Sequence, residues 1–206
     1  MHINVTDEEC KRCGKCCNKG GPVLHTPDRM LVVNGILSPA DLLTIRKGEP
    51  GFDPCSNRVV LLEKELIKIR GVSKIGMCKF FDSKRHACSI YDSRPLECKL
   101  LKCWDTSELE SIFMKDLLQR KDLIPVSTLL FELIENHDRV FDIRKITQGL
   151  PNFPGFGSEN FSVIERAIRE ESRFRQEVIN GLSLKETDMD FFFGRSLEEV
   201  FKVLNP

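Results

Sequence analysis

The sequence predicts an α+β protein. A cysteine-rich, metal-stabilised module carrying a short β-hairpin occupies residues 1–104, and a mainly α-helical half follows over 105–206, free to pack on the first as one unit. Three observations carry this. All nine cysteines lie between residues 10 and 103. The run VVLLEKELIKIRG, residues 59–71, is rich in β-branched and apolar residues and leads through glycine twice before Cys78, which reads as strand. Beyond Trp104, apolar residues recur at helical spacing.

Ser38-Pro39-Ala40-Asp41 offers an N-cap, a first-turn proline and an acid at the third position, and Gly48 a stop, so a short helix is expected over 39–47. The 59–71 strand is expected to turn back as a hairpin into residues 77–81. Ser107 and Glu110 form a capping box ahead of Leu109, Ile112, Phe113, Leu117 and Leu118, which share one face of a helix over 107–121. Ser127 opens another through about 146, ended by Gly149 and Pro151, and PNFPGFG at 151–157 is a loop. Phe161, Ile164, Ile168, Val178, Ile179 and Leu182 mark a long amphipathic helix stopping near Gly181. Ser196 and Glu199 box a last helix carrying Leu197, Val200, Phe201 and Leu204, and Phe191–Phe193 read as core.

Composition excludes several classes. With 41% hydrophobic and 30% charged residues, 206 residues can bury one good core or two modest ones. Thirty-one basic residues balance 31 acidic ones, so no net field recruits nucleic acid or an anionic membrane, and charge names no protein partner. No run of eighteen apolar residues offers a membrane span. MHINVTDEEC passes straight into the first cysteines without the apolar segment of a signal peptide, so a cytoplasmic location is expected. In that reducing compartment cysteines bind metal more readily than they form disulfides.

Cys10, Cys13, Cys16 and Cys17 form Cys-x2-Cys-x2-Cys-Cys. Two intervening residues let one tight turn aim two sulfurs at an ion about 2.3 Å away, with turn amides donating to the thiolates. Gly14 supplies backbone freedom, and Lys11, Arg12, Lys15 and Lys19, with no acid between residues 10 and 20, favour thiolate over thiol. A redox dithiol or disulfide staple needs fewer cysteines this close.

Downstream, Cys78-Lys-Phe-Phe-Asp-Ser and Cys88-Ser-Ile-Tyr-Asp-Ser repeat after ten residues, each a short strand ending in an Asp-Ser turn. Pro95 sets Arg94 extended and opens a helix, placing Cys98 in its first turns. Cys103 stands about 140° around that helix from Cys98, so it is past the helix end, a ligand of another centre, or a buried thiol. Cys55 reads as a structural thiol, His86 as a surface residue and Tyr91 as a packing residue. Arg94 can donate to thiolates or carbonyls beside the cysteines.

Cys10-x2-Cys13-x2-Cys16-Cys17, Cys78, and Cys88-Ser-Ile-Tyr91-x2-Arg94-Pro95-x2-Cys98 together resemble the CxxCxxCC zinc- or iron-chelating domain family, the YkgJ-type cysteine cluster proteins, over residues 8–104. The resemblance implies a metal-binding protein whose ligands are Cys10, Cys13, Cys16, Cys17, Cys78, Cys88 and Cys98, and whose zinc or iron is structural or carried. Flagellin lysine-N-methylases are similar in their cysteine set, which implies that some relatives are enzymes. Seven cysteines exceed one tetrahedral zinc, so either two centres exist or some thiols stand outside the coordination. Cys10, Cys13 and Cys16 also match the run that holds a [4Fe–4S] cluster with a distant fourth ligand, although the proline common after that ligand follows neither Cys98 nor Cys103. Zinc and iron both stay open. No nucleophile–base pair or phosphate-binding loop is visible, so any electron transfer or catalysis, protein lysine methylation included, would come from the metal.

Overall fold

The computed structural model describes residues 10, 12–53, 58–72, 76–147 and 161–204. Lys11, Cys55, the expected helix stop at Gly149 and Pro151 and the loop at 151–157 lie outside these residues. In chain order come α1 (Arg29–Val33), β1 (Leu42–Ile45), β2 (Pro50–Asp53), β3 (Arg58–Leu61), β4 (Leu66–Ile69), β5 (Gly71–Val72), β6 (Met77–Cys78), β7 (Phe81–Asp82) and β8 (Ala87–Cys88). Then follow α2 (Leu96–Leu100), α3 (Ser107–Ile112), α4 (Arg120–Leu123), α5 (Leu129–Val140), α6 (Ile143–Thr147), α7 (Phe161–Leu182), α8 (Met189–Phe192) and α9 (Leu197–Leu204). The strands form two-stranded sheets β1–β4, β2–β3, β5–β6 and β7–β8. Short strand pairs ahead of helices make the fold α+β.

Four local expectations are corrected. The Ser38–Asp41 box is present, with the Ser38 N–H donating to Asp41 Oδ2 at 2.8 Å, but it caps one 3-10 turn, Pro39–Asp41, rather than a helix to residue 47. Leu42–Ile45 then run extended, burying Leu42 and Thr44 alternately as a strand does. The Thr44 hydroxyl donates to the Phe191 carbonyl at 2.7 Å. The 59–71 run is not one strand but parts of β3, β4 and β5, split at Glu63-Lys64 and at Arg70. The β5–β6 hairpin does reach back as expected.

The helix expected over 107–121 stops at Ile112. Phe113 is extended, and Met114 and Asp116 take left-handed backbone at φ 57° and 45°, which no helix continues through. The turn delivers Leu117 to a bridge with His25 and lets the Leu118 N–H donate to the Leu24 carbonyl at 3.0 Å. The expected 127–146 helix is broken at Phe141, whose buried ring interrupts α5 and α6. α7 and α9 fall where periodicity put them.

By internal contacts the chain divides into two compact units: Met1–Ile36 with Ile69–Leu118, and Leu37–Lys68 with Gln119–Pro206. We call them the cysteine unit and the helical unit. The helical unit centres on Phe141, Ile143, Ile164, Leu197, Val200 and Phe201. It also buries a chain of charges. Arg46 donates from Nε to Glu49 at 2.8 Å and from Nη1 to His137 Nδ1 at 3.2 Å, while His137 Nε2 donates to Glu171 at 3.1 Å. Arg175 pairs with Glu171 and donates to the Gly194 carbonyl at 2.7 Å.

Candidate metal centre

The cysteine loop is built on left-handed backbone. Arg12 sits at φ 49° and Gly14 at φ 74°. The Asn18 N–H then donates to the Gly14 carbonyl at 2.9 Å, and a 3-10 turn forms over Cys17–Lys19. A Cβ on Gly14 would lie 2.1 Å from Phe81 Cζ, so only glycine lets this loop lie on that ring. The vicinal pair is reconciled by the turn: Cys16 is helical and Cys17 begins the 3-10 turn, leaving the two sulfurs 3.9 Å apart. That is close to the roughly 3.8 Å edge of a tetrahedron with 2.3 Å metal–sulfur bonds.

The ten-residue repeat emerges as two hairpins of one construction. Cys78 faces Gly71, and the next N–H, of Lys79, donates to the Arg70 carbonyl at 3.1 Å. Cys88 faces Phe81, and the next N–H, of Ser89, donates to the Phe80 carbonyl at 2.9 Å. Asp82 closes the second turn by accepting from the Lys84 and Arg85 N–H groups at 2.8 and 3.1 Å.

Cys98 lies in the first turn of α2, as Pro95 predicted. Side chains from the stretch after the cysteine loop hold that turn. Asp28 Oδ1 accepts from the Leu96 N–H at 2.8 Å, and Glu97 Oε2 accepts from the Val23 N–H at 2.7 Å. Buried His25 places Nδ1 2.8 Å from the Lys115 carbonyl and Nε2 3.5 Å from Glu97 Oε1. The Glu97 contact, opposed by burial and helped by the Lys115 carbonyl, raises the His25 pKa above its ordinary value. Sequence reasoning missed this brace. Its signal was present in His25-Thr26-Pro27-Asp28, where the His25 N–H donates to Asp28 Oδ2 at 3.0 Å in a capping box with proline inside the first turn.

Cys10, Cys13, Cys16, Cys17, Cys78, Cys88 and Cys98, together with Cys103, line one cavity of about 660 Å³ within the cysteine unit. Cys78 is buried, Cys16, Cys17, Cys88 and Cys98 half-buried, and Cys10, Cys13 and Cys103 exposed. Cys103 therefore lies past the end of α2 and is not a core thiol. Burial first, then Cys16, with Cys78 and Cys88 adding, pushes the Cys17 thiol up to about 12. Burial pushes Cys98 up as well, followed by Cys78, Cys17, Cys16 and Cys88. Desolvation and mutual repulsion thus outweigh the basic loop residues at these two thiols, and Lys15 and Lys19 are in fact exposed. Such thiols ionise together only when a cation joins them. Among the described residues, no three histidine, cysteine or acidic side chains are already gathered around one point at ligand spacing.

Arg94 and Tyr91 lie on the same wall. Arg94 is extended as expected (φ −59°, ψ 142°), and its guanidinium carbon stands 3.7 Å from the Tyr91 ring centroid. The Arg94 Nε–H is buried and meets no acceptor among the described residues. A buried donor without a partner beside a ring of thiols suits an anionic metal–thiolate centre. His86 is exposed, as read from sequence, and stands edge-on to Phe81.

Among known families, residues 9–117 match the CxxCxxCC family model, described as "Putative zinc- or iron-chelating domain". No curated protein and no solved structure matches. Among the described residues no helix is long and apolar enough to cross a membrane.

Proposed function

The chain belongs to the CxxCxxCC family, and from that premise we propose that it binds zinc or iron in the cavity of the cysteine unit through Cys10, Cys13, Cys16, Cys17, Cys78, Cys88 and Cys98. The metal is structural or carried. One observation carries the reading: two cysteine groups some sixty residues apart in sequence converge on one cavity. Thiolates are soft donors suited to zinc and iron, and the free thiols of the eight described cysteines suit a reducing cytoplasm.

A second reading, an iron–sulfur protein serving electron transfer or an enzyme, draws on the spacing. The thiolates of a [4Fe–4S] cluster sit at the outer corners of a cube and so stand farther apart than the ligands of one zinc. The Cys10-x2-Cys13-x2-Cys16 run favours that arrangement, whereas the close Cys16–Cys17 pair favours a single ion. Anaerobic purification decides between them. A brown protein with broad visible absorption and acid-labile sulfide is iron–sulfur; a colourless one with stoichiometric zinc is not. A chain that holds neither metal removes both readings.

A further inference from the structure

Tyr91, the chain's single tyrosine, carries two guanidinium groups: Arg12 at 4.1 Å and Arg94 at 3.7 Å from the ring centroid. Both guanidinium groups therefore pack against one ring. Each comes from a different cysteine segment. Arg12 lies between Cys10 and Cys13, and its backbone is left-handed, a conformation a non-glycine residue adopts at a cost. Tyr91 opens the 3-10 turn that follows Cys88, and Arg94 leads through Pro95 into the helix that bears Cys98. The ring is therefore the point where the loop, the second hairpin and α2 are pinned together.

Charge makes the pin conditional. Each cation is attracted to the ring, but the two repel each other, and the Arg94 Nε–H has no acceptor among the described residues. Both conditions are relieved by negative charge in the adjoining cavity, which a metal–thiolate centre supplies because thiolate charge exceeds that of the ion it surrounds. We propose that the Arg12–Tyr91–Arg94 stack is a latch that closes over the metal–thiolate centre and sets how slowly metal leaves. The inference rests on the metal reading above. The three side chains are positioning residues, not ligands.

The test uses the full metal-loaded chain, kept reduced and anaerobic, and follows metal release to excess chelator. Arg12→Ala and Tyr91→Leu should keep the wild-type metal content yet release metal about tenfold faster, the effect of losing one or two cation–π contacts. Tyr91→Phe keeps the ring and should release at the wild-type rate, a rescue that the loss of a tyrosine hydroxyl bond would not show. Arg94→Lys keeps the charge but lacks Nε–H, and should shift the thiolate-to-metal absorption band. Wild-type release from both Arg12→Ala and Tyr91→Leu, or equally fast release from Tyr91→Phe and Tyr91→Leu, overturns the latch. Exposed Arg12 is not part of the core, so its variant folds and reports even where Tyr91→Leu does not. A wild-type metal-to-protein ratio of zero overturns the metal reading itself and is seen before any variant is made.

Discussion

The two units solve the problem of an interior in opposite ways. The helical unit fills its centre with Phe141, Ile143, Ile164, Leu197, Val200 and Phe201 and stacks His137, Phe174 and Phe193 at 5.2–5.7 Å between ring centroids. In the cysteine unit the buried apolar side chains among the described residues are Leu24, Ile69, Phe81, Pro95, Leu118 and the Cys78 thiol. Where a larger core would lie, it has a thiol-lined cavity. Burial of an aliphatic or aromatic side chain contributes about 1.5–3 kcal/mol, so a unit with so few is left short against the entropy of ordering its chain. The difference teaches that one unit is held by burial, while the other, on the proposed metal reading, is completed by what it binds.

Metal removal is the largest test of that contrast. Structural zinc contributes about 10–16 kcal/mol of apparent binding free energy in small domains at neutral pH, more than the whole stability of many proteins. Strong chelator under reducing conditions should strip protection from amide exchange across 12–36 and 76–118 while leaving α5 and α7 protected. Unchanged protection in the cysteine unit after complete metal loss would break the comparison.

The helical unit should answer to a different lesion. Replacing Glu171 by Ala leaves the buried Arg175 guanidinium without its carboxylate and His137 without its acceptor, a loss on the order of 3–5 kcal/mol for breaking a buried pair. The melting of this unit should fall by the same amount with metal bound or absent. Acid should act through the same group. Burial pushes the Glu171 carboxyl upward, but donation from His137 and the charge and donation of Arg175 outweigh it and bring it from 4.5 to about 2. A depressed native value means that this contribution is fully present above about pH 4.5 and fades as pH falls toward 2. In Glu171→Gln that part of the acid dependence should vanish from the unfolding curve of α7.

Gly14→Ala tests the cysteine unit without touching a thiol. It combines left-handed backbone, costing an alanine roughly 1–2 kcal/mol, with a collision against Phe81. Gly35→Ala shares the positive φ, at 71°, but has nothing within 4 Å of its new Cβ, so it isolates the backbone part. Gly14→Ala should weaken metal retention clearly more than Gly35→Ala, as measured by chelator competition. Equal retention would show that the loop does not need its seat on Phe81.

What could be read in advance was what is local. The cysteine spacing, Cys98 after Pro95, and the 3.6-residue rhythm of α7 and α9 are each contained in one stretch of chain, and each lies where the sequence placed it. The failures share a cause. Ser38–Asp41 carries the same capping chemistry whether one turn or four follow, and only the extended partner β4 makes Leu42–Ile45 a strand. Leu117 and Leu118 look helical until His25 and Leu24 are known to await them. Cys103 was undecidable from helical geometry alone because its place on the cavity wall depends on where the chain turns after Leu100. Residues 37–68 belong with helices that begin more than fifty residues later, a pairing no local pattern announces.

The smallest effect is also the cleanest control. α5 begins not at Ser127, as the sequence suggested, but after Thr128, whose backbone is extended and whose Oγ1 accepts the Phe131 N–H at 3.3 Å. That bond satisfies one of the four donors a helix leaves open at its start. Alanine cannot accept it, and Thr128 is half-buried rather than in the core, so little packing is lost with the bond. Thr128→Ala should therefore lower the stability of the helical unit by about 1 kcal/mol, and Thr128→Ser should restore most of it. Because α5 belongs to the helical unit and the proposed ligands to the cysteine unit, the loss should be the same in metal-loaded and metal-free protein. A Thr128→Ala effect that disappears when metal is removed would mean that the two units do not stand on separate supports.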